Sequence, residues 1–394
     1  MANLASGGNC EGFGLGEDPQ RKDQDCGESS FLELKYMNTI PLLVAGLALL
    51  LVGGELIVRG ASCIAAKLGM SKLLIGLTVV AFGTSAPELA ICLDAVCLGK
   101  SEVALGSIVG SNIANVLLIL GLTATLFPIV VHRQIVQREV PIMIAVSLLF
   151  LLLTLDGVLY PAEGVVLLMA MALFLIWQIR SETTLETSAP KPTNQAGDRL
   201  PTGTDTAIWL SVVQVFGGAA CLWFGASWMV GAASTLAIQL GVSDLVIGLT
   251  IVAVGSSAPE IVVSLLAAKR GFPEMAVGSI IGSNIANLLL VGGITTVLSP
   301  GITIPVEAFQ FDIPVMLVSS IACLPIFATG HRIDRWEGIL FLGWFTVFMV
   351  LLFIKPASNQ TSPSWGHLVW LFAVPIVLVT CLAIVLHKYR KLKN

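Results

Sequence analysis

Charge is what this sequence has least of: Asp, Glu, Lys and Arg together make up 12% of its 394 residues, about half the share found in soluble domains. An ordinary water-soluble globule is excluded by that shortage. Lys and Arg number 21 against 25 Asp and Glu, so no basic excess calls for a nucleic-acid partner. The 8 cysteines contain no CxxC spacing. Cys63, Cys92, Cys97, Cys221, Cys323 and Cys381 fall in or beside apolar stretches and read as small buried residues, while Cys10 and Cys26 lie in a polar tail. No phosphate-binding glycine loop occurs, and no stretch is long enough for a nucleotide domain, which excludes an ATP-driven pump. Nothing points to an enzyme or to a bound cofactor.

What the chain has in quantity is apolar length. Hydrophobic residues reach 56% and mean hydropathy is +0.90. Eleven stretches approach the roughly 20 residues that a helix needs to cross a bilayer: 39–59, 73–98, 104–126, 139–155, 160–179, 207–233, 244–268, 275–298, 311–328, 336–354 and 366–387. The expected fold is an all-α polytopic membrane protein, monomeric in the lipid bilayer, because only helices and closed barrels satisfy the backbone there. Residues 1–38 are Gly-rich and acidic, without the apolar core of a signal peptide, and read as a disordered extracytoplasmic tail. Positive charge orients the spans. With the N-terminus outside, 16 of the 21 Lys and Arg fall on the inner side, including Arg59, Arg133, Arg270, Arg332 and the C-terminal Lys388 to Lys393. Such an orientation fits a plasma or bacterial inner membrane.

Residues 76–128 and 248–300 align at a constant offset of 172 without a gap, with 30 identities in 53 positions. GLTVVAFGTSAPEL recurs as GLTIVAVGSSAPEI, and GSIVGSNIAN as GSIIGSNIAN. Such similarity within one chain means duplication. Each copy sits in a unit of five spans, 39–180 and 207–354, joined by a cytoplasmic linker at 181–206; residues 355–394 add an eleventh span and a basic tail. Five is odd, so the second unit enters the membrane from the opposite face and the repeats are inverted.

Close helix packing accounts for the small residues of these motifs, but packing has no use for glutamate. Glu88 and Glu260 lie mid-span at equivalent positions, where a carboxylate costs ~3 kcal/mol by insertion scales and marks an ion or proton path. Pro87 and Pro259 lack an N–H, which frees the carbonyls of Gly83 and Gly255 and breaks each helix. Thr84, Ser85, Ser256 and Ser257 add hydroxyls beside the break, and Ser111 and Asn115, spaced i and i+4, recur as Ser283 and Asn287. These are hard oxygen ligands, which suit Ca2+ and Na+. Asp94, whose repeat counterpart is Leu266, reads as a span-end acid, and Ser107 and Ser279 read as packing residues.

At these residues the chain resembles the cation/calcium exchanger superfamily, whose two α-repeats carry G-[TS]-S-x-P-E and G-S-N-x-x-[ND]. The resemblance covers spans 1 to 10. It implies ten core helices, a central site where spans 2, 3, 7 and 8 cross, and exchange of Na+ against Ca2+. Carried over by position, it implies that Glu88 and Glu260 with Thr84 and Ser256 hold Ca2+. The carbonyls of Ala81 and Ala253, with Ser85, Ser257, Ser111 and Ser283, would complete flanking Na+ sites, and Asn115 and Asn287 would lie at the centre. Asn287 is Asp in many prokaryotic and K+-dependent members, so the chain is closer to the K+-independent type. Leu89 and Ile261 stand where the H+/Ca2+ branch usually has His. Alternatives are H+/Ca2+ exchange at the same glutamates and, from another class, a channel or a non-transporting scaffold.

Overall fold

The computed structural model describes residues 19–68, 70–188, 208–239, 253–328 and 331–354. Nine helical segments among these are long and apolar enough to span a membrane: Thr39–Leu68, Leu73–Cys97, Ser101–Leu126, Ile135–Leu153, Pro161–Ser181, Ile208–Ala232, Pro273–Leu298, Ala308–Ala328 and Arg335–Leu352. They correspond to spans 1 to 6 and 8 to 10. Span 7 is present as Ala253–Ser256 and Ala258–Lys269. Span 11, residues 189–207 of the linker region and the tail residues 1–18 lie outside the described residues.

Two stretches differ from the sequence reading. The helix of span 1 begins at Pro19, so the second half of the tail expected to be disordered has a helical backbone. Pro is well placed in a first turn, where its missing N–H is not needed, and Gln20, Arg21, Lys22, Glu28, Glu33 and Leu34 are helix formers. The Gly-dense part of the tail ends before this. Likewise the helix of span 5 runs from Pro161 to Ser188, into the segment assigned to the linker.

Spans 1 and 6 run antiparallel in backbone contact. A Cβ on Gly53 would lie 2.7 Å from the Gly218 carbonyl oxygen, and one on Gly46 would lie 2.8 Å from that of Gly225. Glycines recurring every seven residues therefore form a track along which the two helices meet. Leu50, Ile57, Val58 and Ala61 of span 1 pack with Val215, Leu222 and Ala226 of span 6 and with Ala258, Val263 and Ala267 of span 7. A separate, larger core gathers spans 3, 4, 5, 8, 9 and 10 around Phe150, Phe311, Phe327 and Phe341. The other faces of spans 1 and 6 expose Val44, Leu51, Val52, Val213, Phe216 and Phe224, as helices facing lipid do.

Two small ribbons tie the repeats together. β1 (Ile129–Val130), after span 3, pairs antiparallel with β4 (Arg332–Ile333), before span 10. β2 (Val158–Leu159), before span 5, pairs with β3 (Ile302–Thr303), after span 8. Each ribbon joins a loop of one repeat to a loop of the other, and pairing satisfies the backbone groups that leave a helix at the bilayer edge. The first ribbon brings Arg133 and Arg332 to one face. His132 reaches Glu274 on that face at 2.7 Å, and Arg270 pairs with Glu55, which also pairs with Arg59. Basic residues that the sequence sorts to one side thus share one face of the fold.

Candidate functional site

The site is built from two interrupted helices. In span 2 the helix stops at Ser85 (φ −82°, ψ 2°) and restarts as Ala86–Cys97. In span 7 it stops at Ser257 (φ −85°, ψ 7°) and restarts as Ala258–Lys269. Pro87 and Pro259 occupy the second position of each restarted helix, where the absent N–H is no loss to the new helix but ends the old one. Glu88 and Glu260 follow in the first turn. There the helix dipole and the free N–H groups favour a negative charge.

Spans 3 and 8 cross behind these breaks. Ser111 lies in the helix Ser101–Ala114 and Ser283 in Pro273–Ala286, and Asn115 and Asn287 each open a short π-helix, Asn115–Leu120 and Asn287–Val291. Each π-turn widens the helix where the asparagine enters the interior, a feature frequent at functional sites.

Thr84, Ser85, Glu88, Ser111, Asn115, Ser256, Ser257, Glu260, Ser283 and Asn287 are all buried, Glu88 at 1% and Glu260 at 0% exposure. Thr84 Oγ1 lies 3.2 Å from Ser283 Oγ and 3.2 Å from the Ala81 carbonyl oxygen. Asn287 Nδ2 donates to Ser111 Oγ at 3.0 Å. Glu260 sits among the hydroxyls of Thr84, Ser85 and Ser283, and the charges of Glu88 and Glu260 act on one another. Ala253 opens the segment that carries Ser256. The residues singled out from the sequence on spans 2, 3, 7 and 8 therefore converge.

What they leave unsatisfied defines the chemistry. Both oxygens of Glu88, both of Glu260, the hydroxyls of Ser85 and Ser257, and the Oδ1 atoms of Asn115 and Asn287 are buried without a hydrogen-bond partner. Each such group costs ~1–3 kcal/mol in a folded protein, so a cluster of them is a provision for something else. Neither glutamate forms an ion pair with a described Lys, Arg or His. No group of three or more His, Cys, Asp or Glu is found among the described residues. Carboxylate, hydroxyl and amide oxygens around two negative charges are the ligand set of a hard cation.

The family model described as "Sodium/calcium exchanger protein" matches residues 39–180 and 210–354. The chain belongs to the sodium/calcium exchanger family. It is 40% identical over 318 residues to the protein CaxA of Alkalimonas amylolytica, covering 80% of this chain and 98% of that one. It is 33% identical over 352 residues to the sodium/calcium exchanger MaX1 of Methanosarcina acetivorans, covering 79% of this chain and 97% of that one. Among solved structures it is similar to the sodium-calcium exchanger NCX_Mj soaked with 10 mM Na+ and zero Ca2+, with TM-score 0.67, 30% identity, and coverage of 81% of this chain and 99% of that one. A multi-pass membrane transporter, not an enzyme, is what this family membership establishes.

Of the remaining sequence candidates, Ser279 is fully buried with its hydroxyl unpartnered. Asp94 is exposed, as expected of a span-end acid, and Ser107 is half-buried, interacting with Cys92. His132 pairs with Glu274 at one face of the fold. Asn284 is a residue the sequence reading passed over, although the repeated GSNIAN contains it: Asn115 Nδ2 donates to its Oδ1 at 3.0 Å.

Proposed function

We propose that this exchanger moves Na+ down its gradient to export Ca2+, with Glu88 and Glu260 as the shared anionic centre. The observation that carries the reading is the pair of fully buried carboxylates without hydrogen-bond partners, acting on one another, with Glu260 among the hydroxyls of Thr84, Ser85 and Ser283. Thr84 and Ser256 would complete Ca2+ coordination. The Ala81 and Ala253 carbonyls with Ser85, Ser257, Ser111 and Ser283 would serve Na+. Two carboxylates balance one Ca2+ or two Na+. The two cation sets then compete for the same oxygens, while the empty, doubly negative site resists crossing the membrane. Exchange follows from that competition, where a channel would leak.

Alternating access would come from spans 1 and 6 sliding or rocking as one body over the site. The glycine track that joins them supports this. No Asp replaces Asn287, and K+ has no carboxylate of its own to bind, so coupling is assigned to Na+ without K+. The N-terminus is placed outside and the linker in the cytoplasm, as the charge sorting has it. A cysteine introduced at 181–206 should be protected from an impermeant thiol reagent on intact cells, and labelling there would reverse the orientation.

Binding tests the shared centre. In purified protein, Na+ should raise the apparent Kd for 45Ca without lowering the number of sites. Displacement by protons with no effect of Na+ would instead select H+/Ca2+ exchange.

A further inference from the structure

Asn115 and Asn287 occupy equivalent positions, yet the two amides are oriented by different partners. At Asn287 the constraint is local. Ser111 Oγ donates to the Ile108 carbonyl at 3.1 Å, so it can only accept from Asn287 Nδ2 at 3.0 Å, which leaves Asn287 Oδ1 as the unpartnered end.

At Asn115 the constraint is relayed. Asn284 Nδ2 lies 3.4 Å from Met143 Sδ, and a thioether accepts but never donates. The NH2 of Asn284 is therefore fixed toward Met143, and its Oδ1 toward Asn115. Asn115 must answer with its own NH2, at 3.0 Å, so that its Oδ1 is the end left without a partner. Met143 is 1% exposed and Asn284 likewise 1%, so no solvent competes for these bonds. The other repeat has no such relay: Asn112 Nδ2 bonds the Ile108 carbonyl of its own helix at 2.7 Å, although Met316 stands at the position equivalent to Met143.

We infer that Asn284, oriented by Met143, is a positioning residue that sets the Asn115 amide oxygen-first toward the transported cation. With the amide turned round, an NH2 group would meet the cation and repel it. The inference rests on the assignment of the Glu88 and Glu260 centre as the cation site.

Equilibrium 45Ca binding to the purified full chain provides the test, in a double-mutant cycle. Asn284→Ala should weaken Ca2+ binding about fivefold, the value of one hydrogen bond. In an Asn115→Ala background it should add nothing, because there is no amide left to orient. Met143→Leu keeps the volume and removes the acceptor. It should shift binding in the same direction, again only when Asn115 is present, and it serves if Asn284→Ala folds poorly. Asn112→Ala should stay within about twofold of the parent, since its amide bonds only its own helix. Additive effects of Asn284→Ala and Asn115→Ala, or parental binding in both Asn284→Ala and Met143→Leu, would overturn the inference. Parental Ca2+ binding by Glu260→Gln would overturn the underlying site instead, whatever the cycle shows.

Discussion

Glu88→Gln and Glu260→Gln should each abolish Ca2+ transport while the protein still folds and inserts. The substitution keeps the shape of the side chain and removes one negative charge from a centre that has only two. With one carboxylate, Ca2+ is no longer neutralised. Its coordination also loses an anionic oxygen in an interior where charge is weakly screened. Folding should not suffer, because a mid-membrane carboxylate is a cost to insertion that glutamine reduces, and because neither glutamate makes an ion pair with a described residue that the change would break. The check is 45Ca flux in reconstituted vesicles beside the thermal midpoint of the same preparations. Flux within tenfold of the parent in either variant would mean that the buried pair is not the transport centre.

Gly282→Val should fail in the opposite way, by loss of the fold. Gly282 is where span 8 crosses span 2. A Cβ there would lie 2.6 Å from the Leu77 carbonyl oxygen and 2.8 Å from Ala81 Cβ. The nearest atom belongs to backbone, which cannot rotate away, so the helices must part. Overpacking of this kind costs ~1–3 kcal/mol for small increments, and valine adds three carbons. Ser283 is the next residue, and its hydroxyl is 3.2 Å from that of Thr84, so separation also opens the site. A midpoint lowered by many degrees, or protein that does not accumulate, is the expected result in a melting experiment on detergent-purified material. A parental midpoint would show that the crossing is looser than drawn.

How much of this was legible beforehand depends on which physical signal each feature leaves. The spans and the duplication are visible because hydropathy and identity accumulate over many residues. The breaks at Ser85 and Ser257 are visible because proline removes an N–H wherever it stands. The convergence of Glu88, Glu260, Thr84, Ser111, Ser283, Asn115 and Asn287 was implied by the resemblance to the exchanger superfamily, with repeat symmetry pairing the positions. Spans 4 and 9 begin earlier than their hydropathy indicates, at Ile135 and Ala308, since each opens with a π-helix carrying polar residues, Ile135–Glu139 and Ala308–Asp312. A window average cannot see the register of backbone hydrogen bonds. Nor can it see β1 to β4, two residues each, too short for any alternation. The helix from Pro19 was hidden by reading the tail as a whole, when only its first part is Gly-dense. Asn284 was in plain view within GSNIAN, but its partner Met143 comes from span 4, outside the repeat, and no spacing connects them.

Counter-ion coupling is the centre of this account, and one measurement addresses it directly. The purified protein is reconstituted, and 45Ca uptake is followed first with an outward Na+ gradient at equal pH, then with a pH gradient and no Na+. The account predicts uptake above equilibrium with the Na+ gradient, collapsing when the gradient is removed, and none driven by pH. Uptake driven by pH alone, or flux that ignores both gradients, would contradict it.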